Sequence, residues 1–485
     1  MKYYFIAFAL LFTTAISLAD DDIERGIVQI TVTYQEYDSF MPWLKSRPGI
    51  RYGYGVIVEN SRVITTESLI RNHKLIELRK PRTGEKISAK VEISDCRFNL
   101  ALLKAQNVKE NDAFMPVKIA DHVPLKSDVE IMQFDETIQV ERGRATVLQI
   151  SMLALPSAPY QSLTFSLLTD LNVNGEGAVV VYNGKLAGLT TSYNKNTRIG
   201  RMLPYCVIKH FLNNVMETPY KGTASAGFSW KSLVDPAKRA YLHVQKKGGG
   251  ILVLSCFPDT NALKYLKQHD VILEWDGYPV DNLGFYQDPE FGRLNFFYLI
   301  NGKHEPNDIV PVKIIRNQDE MTVDIRLGHR LDRANLIPEN VTGAQAEYLV
   351  NGGFIIRELT GKYLQAYGPH WQRTVDSRLV HLYLTRRQTA KQKGKHILIL
   401  SRVLPDLINI GYQNFRDAVV TRLNGEQVKS MDDVFRLVDR DGCIWRFSLQ
   451  SVDVDLVLDK NKLPEADSRI AKLYRIPQLR HQESK

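Results

Sequence analysis

The chain has 485 residues, 44% hydrophobic and 24% charged, proportions that exclude a disordered or fibrous chain and suit about three globular domains. Lys and Arg outnumber Asp and Glu by 63 to 54, but the excess is spread along the sequence without a basic block interleaved with aromatics. A nucleic-acid partner is therefore not indicated, and the net charge of +9 favours only general attraction to anionic surfaces. The four cysteines, Cys96, Cys206, Cys256 and Cys443, lie far apart with no CxxC spacing; neither a disulfide framework nor a metal or other cofactor is called for.

The opening MKYYFIAFALLFTTAISLA carries one Lys, an apolar run and Ser17-Leu18-Ala19 before an acidic cluster. This layout predicts a secretory signal peptide over residues 1–19, cut after Ala19, and hence an exported protein, periplasmic or secreted. The run from Tyr3 to Leu18 is short for a membrane span, and no later stretch is apolar enough to be one.

From Ile27 to about Leu189 the chain alternates short β-type runs with turn residues at intervals of roughly ten: GIVQITVTY, GYGVIVEN, SRVITTE, KLIELRK, KISAKVEI, LALLKA, DVEIMQF, GRATVLQI, GAVVVYN and KLAGLTT. The pattern predicts a mainly β domain, barrel or sandwich, over residues 20–217. Val207, Phe211 and Val215 in LPYCVIKHFLNNV stand at i, i+4, i+8 and close it with an amphipathic helix. After the linker-like PYKGTASAG come two α+β units, 226–330 and 331–485. WDGYPVDNL in the first and LNGEQVKSM in the second repeat one hairpin idea, which argues for tandem modules. The second unit also holds a long insert with a helix expected from Val375 to Leu384.

One stretch, DLNVNGEGAVVVYNGKLAGL, resists a purely structural reading. Asn183-Gly184 is a hairpin turn, but the glycine-punctuated Val173-Asn174-Gly175-Glu176-Gly177 has the form of a nucleophile-bearing turn, and no Ser, Thr or Cys lies between Asp170 and Leu189.

In order, GYGVIVENSRVITTESLI, SDCRFNLALLK, NVNGEGAVVVYNGKLAGL and IGRMLPYCVIKHFL resemble the HtrA/Deg family of trypsin-like serine proteases followed by PDZ domains. Later stretches such as GFSWKSLVDPAKR and YLVNGGFIIREL look like the plant-type Deg branch, with its divergent second PDZ domain. The resemblance implies a trypsin-like double β-barrel followed by two PDZ-like α+β domains. It also implies that Ser68, Asn99 and Gly175 stand where the family carries its catalytic His, Asp and Ser. A triad needs an imidazole base, a carboxylate to orient it and a nucleophile. None of the three is present, and Glu176 would oppose a developing oxyanion.

The expectation is a catalytically inactive pseudoprotease, an exported scaffold or chaperone-like binder of peptides, protein C-termini or unfolded proteins, with an active protease as a further partner class. The alternative is residual endopeptidase activity, through a pair such as Cys96–His73 or by complementing an active relative in a mixed oligomer. In the PDZ-like units the resemblance implies capture of an extended terminus by strand addition. The candidate loops are Gly248-Gly249-Gly250, leading into Ile251 and Leu252, and Asn351-Gly352-Gly353 before Phe354; the second groove is also open to closure by the insert. Tyr34, Tyr37, Phe40 and Trp43 are compatible with the contacts of a homotrimer or with a hydrophobic lid on the barrel.

Overall fold

The computed structural model describes residues 23–482, apart from 60, 80–83, 108–114, 156–159, 218, 245–248, 259, 340–343, 387–394 and 451. The expected leader and Gly248 lie outside the described residues. The chain divides into two compact units. One holds the described residues of 23–34, 48–254 and 264–329; the other holds those of 35–47, 255–263 and 330–482.

The first unit begins with strands β1 (Ile27–Tyr34), β2 (Gly49–Glu59), β3 (Arg62–Thr66), β4 (His73–Arg79), β5 (Lys86–Asp95) and β6 (Leu100–Ala105), closed as a barrel in the order β1-β2-β3-β6-β5-β4. A second barrel follows from β7 (Asp128–Phe134), β8 (Val140–Ala154), β9 (Gln161–Thr169), β10 (Val179–Tyr182), β11 (Lys185–Asn194) and β12 (Ile199–Pro204), in the order β10-β11-β12-β9-β8-β7. The apolar runs read from sequence supply the interiors; Val28, Ile30, Val32, Val63, Leu78, Ala101 and Leu103 fill the first barrel. A one-turn helix, α1 (Glu67–Ile70), leaves β3, and α2 (Tyr205–Met216) closes the second barrel with Val207, Ile208 and Phe211 buried.

The first module joins the same unit except for 255–263: β13 (Phe228–Ser232), α3 (Pro236–Tyr241), β14 (Ile251–Cys256), α4 (Ala262–Tyr265), β15 (Val271–Trp275), β16 (Tyr278–Pro279), β17 (Phe285–Asp288), β18 (Gly292–Asn295), α5 (Phe297–Asn301), β19 (Ile309–Arg316) and β20 (Asp319–Arg326). Its sheet runs β13-β14-β15-β19-β20, with β16 on β15. Asp235-Pro236 starts α3 as such a pair should, the carboxylate accepting from Ala237 N–H at 2.9 Å and Pro at the first helical position. Polar and aromatic contacts seat this module on the second barrel. His210 Nε2 of α2 lies 2.7 Å from Glu305 Oε1, Tyr205 hydrogen-bonds Glu290, and the Phe165 and Phe291 rings meet edge to face at 5.9 Å.

The second unit contains β21 (Tyr348–Asn351), β22 (Phe354–Glu358), α6 (Gly361–Gln365), α7 (Trp371–Thr374), α8 (Ser377–Thr385), β23 (Leu398–Val403), β24 (Ala418–Leu423), β25 (Glu426–Gln427), α9 (Met431–Val438), β26 (Ile444–Leu449), β27 (Leu456–Asp459), α10 (Leu463–Tyr474) and β28 (Arg480–His481). The sheet order β27-β26-β24-β23-β22-β21-β28, with β25 on β24, repeats the first module through β22. The duplication is real, but its register differs from the sequence reading: β22 corresponds to β13, and β23 to β14.

Phe40 and Trp43 pack within the second unit. Phe40 meets Tyr363 and Tyr367 edge to face at 5.5 and 5.0 Å, and Trp43, 5% exposed, packs with Tyr348, Val350, Ile355 and Ile470. The segment 35–47 is further held by Arg357 donating to Ser39 O and by Gln345 Nε2 donating to Pro42 O at 3.1 Å. Tyr34 stays in β1 under the Arg51 guanidinium, and Tyr37 lies near Lys45. Trp43→Ala should cost the second unit about 3–5 kcal/mol in urea unfolding, as loss of a buried aromatic does. Sedimentation should show the oligomeric state of the folded variant unchanged; dissociation without loss of stability would restore the interface reading.

Candidate functional site

The glycine-punctuated turn is built against β2. Tyr54 N–H donates to Glu176 O at 2.9 Å, and Gly53 and Glu176 form an isolated parallel bridge. The approach is so close that a Cβ at Gly53 would fall 2.5 Å from Glu176 O, and one at Gly177 (φ +78°) would fall 2.3 Å from Tyr54 O. The Gly-Tyr-Gly of β2 and the last glycine of the turn are thus two sides of one contact, which only glycine permits. On its other flank the turn is tied to β7 of the second barrel. Asn174 N–H donates to Gln133 Oε1 at 3.0 Å, its Nδ2 to Phe134 O at 3.1 Å, and the Tyr54 hydroxyl hydrogen-bonds Asn174 Oδ1. Burial pushes the Tyr54 phenol above its ordinary pKa, against the opposing effect of these hydrogen bonds.

Ser68, Asn99 and Gly175 come together here. Asn99, 1% exposed and in the left-handed region at φ +53°, lies next to β6 and serves the start of α1. Its carbonyl accepts from Glu67 N–H at 3.1 Å and its Oδ1 from Ser68 N–H at 3.0 Å. Its Nδ2 has no hydrogen-bond partner. Ser68 Oγ donates to Glu176 Oε2 at 2.5 Å, and Thr66 Oγ1 to the same oxygen at 3.1 Å. Gly175 is crowded: a Cβ there would lie 3.2 Å from both Tyr52 O and the Tyr54 ring.

Chemically, this is one carboxylate taking two hydroxyls across the junction of two barrels. Glu176 was read from sequence as an obstacle to an oxyanion; the structure gives it a second role as acceptor, which its place one residue after Gly175 did not reveal. No imidazole joins the cluster among the described residues, since His73 Nδ1 lies 3.0 Å from Ile70 O. A carboxylate is a poor acceptor for a serine proton at neutral pH. Cys96 is no substitute: burial, then the nearby Asp95 and Glu67 charges, push its thiol up to about 12, away from thiolate. Cys96 and Cys206 are both free thiols and are not joined in a disulfide.

The module loops fall differently from expectation. Gly249 and Gly250 precede β14, which is flanked by β13 and β15; Ile251 and Leu252 therefore sit in the sheet interior, where no strand can be added. Gly250 N–H is itself bonded to Val280 O at 2.8 Å. The terminal strand is β13, entered through Ala226-Gly227-Phe228 with Gly227 at φ +76°. The shared Gly-Phe of Gly227-Phe228 and Gly353-Phe354 was the sequence signal for this register.

Gly352, Gly353 and Phe354 do form the equivalent turn, with φ +54° and +84° at the glycines, but it does not open on a free edge. β21 runs antiparallel along β22, Asn351 opposite Phe354 and Tyr348 opposite Arg357, and β28 covers β21 in turn. That is the place and polarity of an added peptide. The edge is closed by β21, not by the insert, whose α7 and α8 pack with Ile337, Leu359, Tyr363 and Ile399. The buried Gly352 N–H is also taken, donating to Asp467 Oδ1 of α10 at 2.7 Å.

Two six-stranded barrels with a glycine turn at their junction, followed by a six-stranded and an eight-stranded sheet that share one strand path, define a trypsin-like fold with PDZ-like modules. A PDZ-domain family model matches residues 337–483. The chain is 25% identical over 472 residues to the putative mitochondrial protease Do-like 3 of Arabidopsis thaliana, spanning 96% of this chain and 80% of that protein. The chloroplastic protease Do-like 2 of the same plant is 24% identical over 435 residues, 88% of this chain and 70% of its own. Among solved structures, the HtrA-type protease AlgW with a tripeptide aligns with TM-score 0.51 and 16% identity over 65% of this chain and 97% of that one, a likeness of fold. The chain is a homologue of the HtrA/Deg proteases and carries a PDZ domain.

Two outcomes test the geometry. Glu176→Ala leaves the Ser68 and Thr66 hydroxyls without their acceptor and should cost about 1–3 kcal/mol in urea unfolding. Asp467 is raised from 3.8 to about 6 by burial, with Asp406 adding to it against the Gly352 hydrogen bond. A raised carboxyl favours the fold below the unfolded pKa and loses that contribution as pH rises through 6. Asp467→Asn should therefore remove a fall in stability between about pH 4 and 6 and be the more stable protein at pH 8, by up to roughly 3 kcal/mol at about 1.4 per pKa unit. Unfolding curves at pH 4, 6 and 8 check the sign.

Proposed function

We propose that this chain is an exported HtrA/Deg-type pseudoprotease that works by holding peptide or protein segments rather than by cleaving them. The observation that carries the reading is the Ser68–Glu176 hydrogen bond at 2.5 Å, in a cluster where Asn99 caps α1 and no imidazole is present among the described residues. Where a triad would share one proton-transfer path, Ser68 and Asn99 make structural hydrogen bonds and Gly175 offers no nucleophile. Fold alone does not carry activity; the groups at the site do.

Binding is assigned to the first module. β13 ends its sheet and is entered through a left-handed glycine, the strand position at which an extended chain end can add. The second module, its corresponding edge lined by β21, serves as a structural element. Export rests on the signal-like residues 1–19. A second reading, endopeptidase activity of this chain or of a mixed assembly with an active relative, is favoured by the protease names of its relatives.

Purified protein should not turn over fluorescent casein, and Gly227→Val should weaken capture of C-terminal peptides at least tenfold with the fold retained in circular dichroism, at a thermal midpoint lowered by the strain of a β-branched residue at positive φ. Turnover blocked by a serine-protease inhibitor would replace the pseudoprotease reading with the second one.

A further inference from the structure

We propose that the second unit contains a binding site for a carboxylate attached to an apolar or aromatic body, in the cavity bounded by Phe40, Tyr363, Tyr367, Ser401, Arg402 and Arg416. The site is independent of the state of the barrel junction and of the strand edge in the first module.

The cavity has a volume of about 250 Å³. That is below the roughly 300–1,000 Å³ of pockets for drug-sized ligands and suits a single amino-acid residue. Its walls are aromatic. The Tyr363 and Tyr367 hydroxyls are both committed to Asp417, the second at 2.7 Å, so these tyrosines offer ring carbon to the cavity, and Phe40 stands edge-on to both.

Its rim is cationic. Arg402, 6.0 Å from the Phe40 centroid, and Arg416 are exposed and have no carboxylate partner among the described residues. Elsewhere in the unit Arg386, Arg378 and Arg469 hold carboxylates at 2.7, 2.9 and 2.9 Å. A third guanidinium, Arg357, is buried 4.9 Å from the Tyr363 ring. It donates to Ser39 O and feels the Asp38 and Glu358 carboxylates, so it stands behind the aromatic wall and not on the rim. Asp417 is the acid in contact with this wall, and its two oxygens already accept from the tyrosines. Two exposed guanidinium groups without an ion-pair partner among the described residues, beside one apolar cavity, attract an anion to the rim. The flat fork of Arg suits a carboxylate held bidentately.

N-acyl amino acids and the last residue of a polypeptide share this chemistry. Titration calorimetry on the whole protein would use N-acetylphenylalanine, N-acetylphenylalanine amide, and a hexapeptide ending in Phe with a free or amidated terminus. The free acid should bind saturably and the amide at least tenfold more weakly; Arg402→Gln with Arg416→Gln should weaken the acid by a similar factor. Both arginines are exposed, so an unchanged thermal midpoint is expected for the double variant, and the acid–amide pair tests the wild-type protein directly. If the acidic hexapeptide matches or exceeds the small acid, and loses that binding in the double variant, the ligand is a chain terminus; if it binds more weakly, the ligand is a free small acid. Equal binding of acid and amide, undiminished binding by the double variant, or no saturable binding of either acid overturns the proposal.

Discussion

The structure of the first unit depends on one tight contact, the turn Val173–Gly177 pressed against β2. Hydrogen bonds leave it in both directions, through Glu176 to Tyr54, Ser68 and Thr66 in the first barrel and through Asn174 to Gln133 and Phe134 in the second. The turn can serve both barrels because Gly53 and Gly177 let two backbones meet where any Cβ would collide. In a hydrolase of this fold the junction is where a nucleophile and base would be placed. Here its polar groups bind one another, and on the proposed reading the junction has become a joint.

That exchange has a clear electrostatic logic. Glu176 is a negative charge placed beside two hydroxyl donors, so its carboxylate is satisfied without a cation. On that reading Asn99 keeps the position of a carboxylate but not its charge; an Asp there would add a third negative group to the neighbourhood of Glu67 and Glu176. The amide keeps the oxygen that accepts from Ser68 N–H. The residual cost is the unpaired Asn99 Nδ2, a group that an aspartate would not have left.

Much of this was legible in the sequence, for reasons that differ by element. Most barrel strands announced themselves through apolar runs between turn residues, and motif order singled out Ser68, Asn99 and Gly175, which the fold brings to one junction. β9 did not: its buried Ser162, Thr164 and Ser166 alternate with Leu and Phe after the proline-containing LALPSAPY, and polar residues satisfied inside a barrel look like loop. The module register was misplaced because the triple glycine before β14 outweighed the single left-handed Gly227 before β13. Long-range packing left no local trace at all. Nothing near Phe40 or Trp43 announces residues 348–367 as their partners, and nothing in Leu463–Tyr474 says that Asp467 will meet Gly352. The unpaired state of Arg402 and Arg416 is likewise a property of the fold, since Asp417 follows directly in sequence but turns to two tyrosines.

The central proposal, that the barrel junction holds structure and performs no acyl transfer, is tested most directly by a fluorophosphonate that reacts with activated serines. Incubated with the purified protein and mapped by mass spectrometry, it should leave Ser68 and every other residue of the two barrels unmodified at times that saturate an active trypsin-fold protease. Stoichiometric labelling of a barrel serine, lost on prior denaturation, would contradict it.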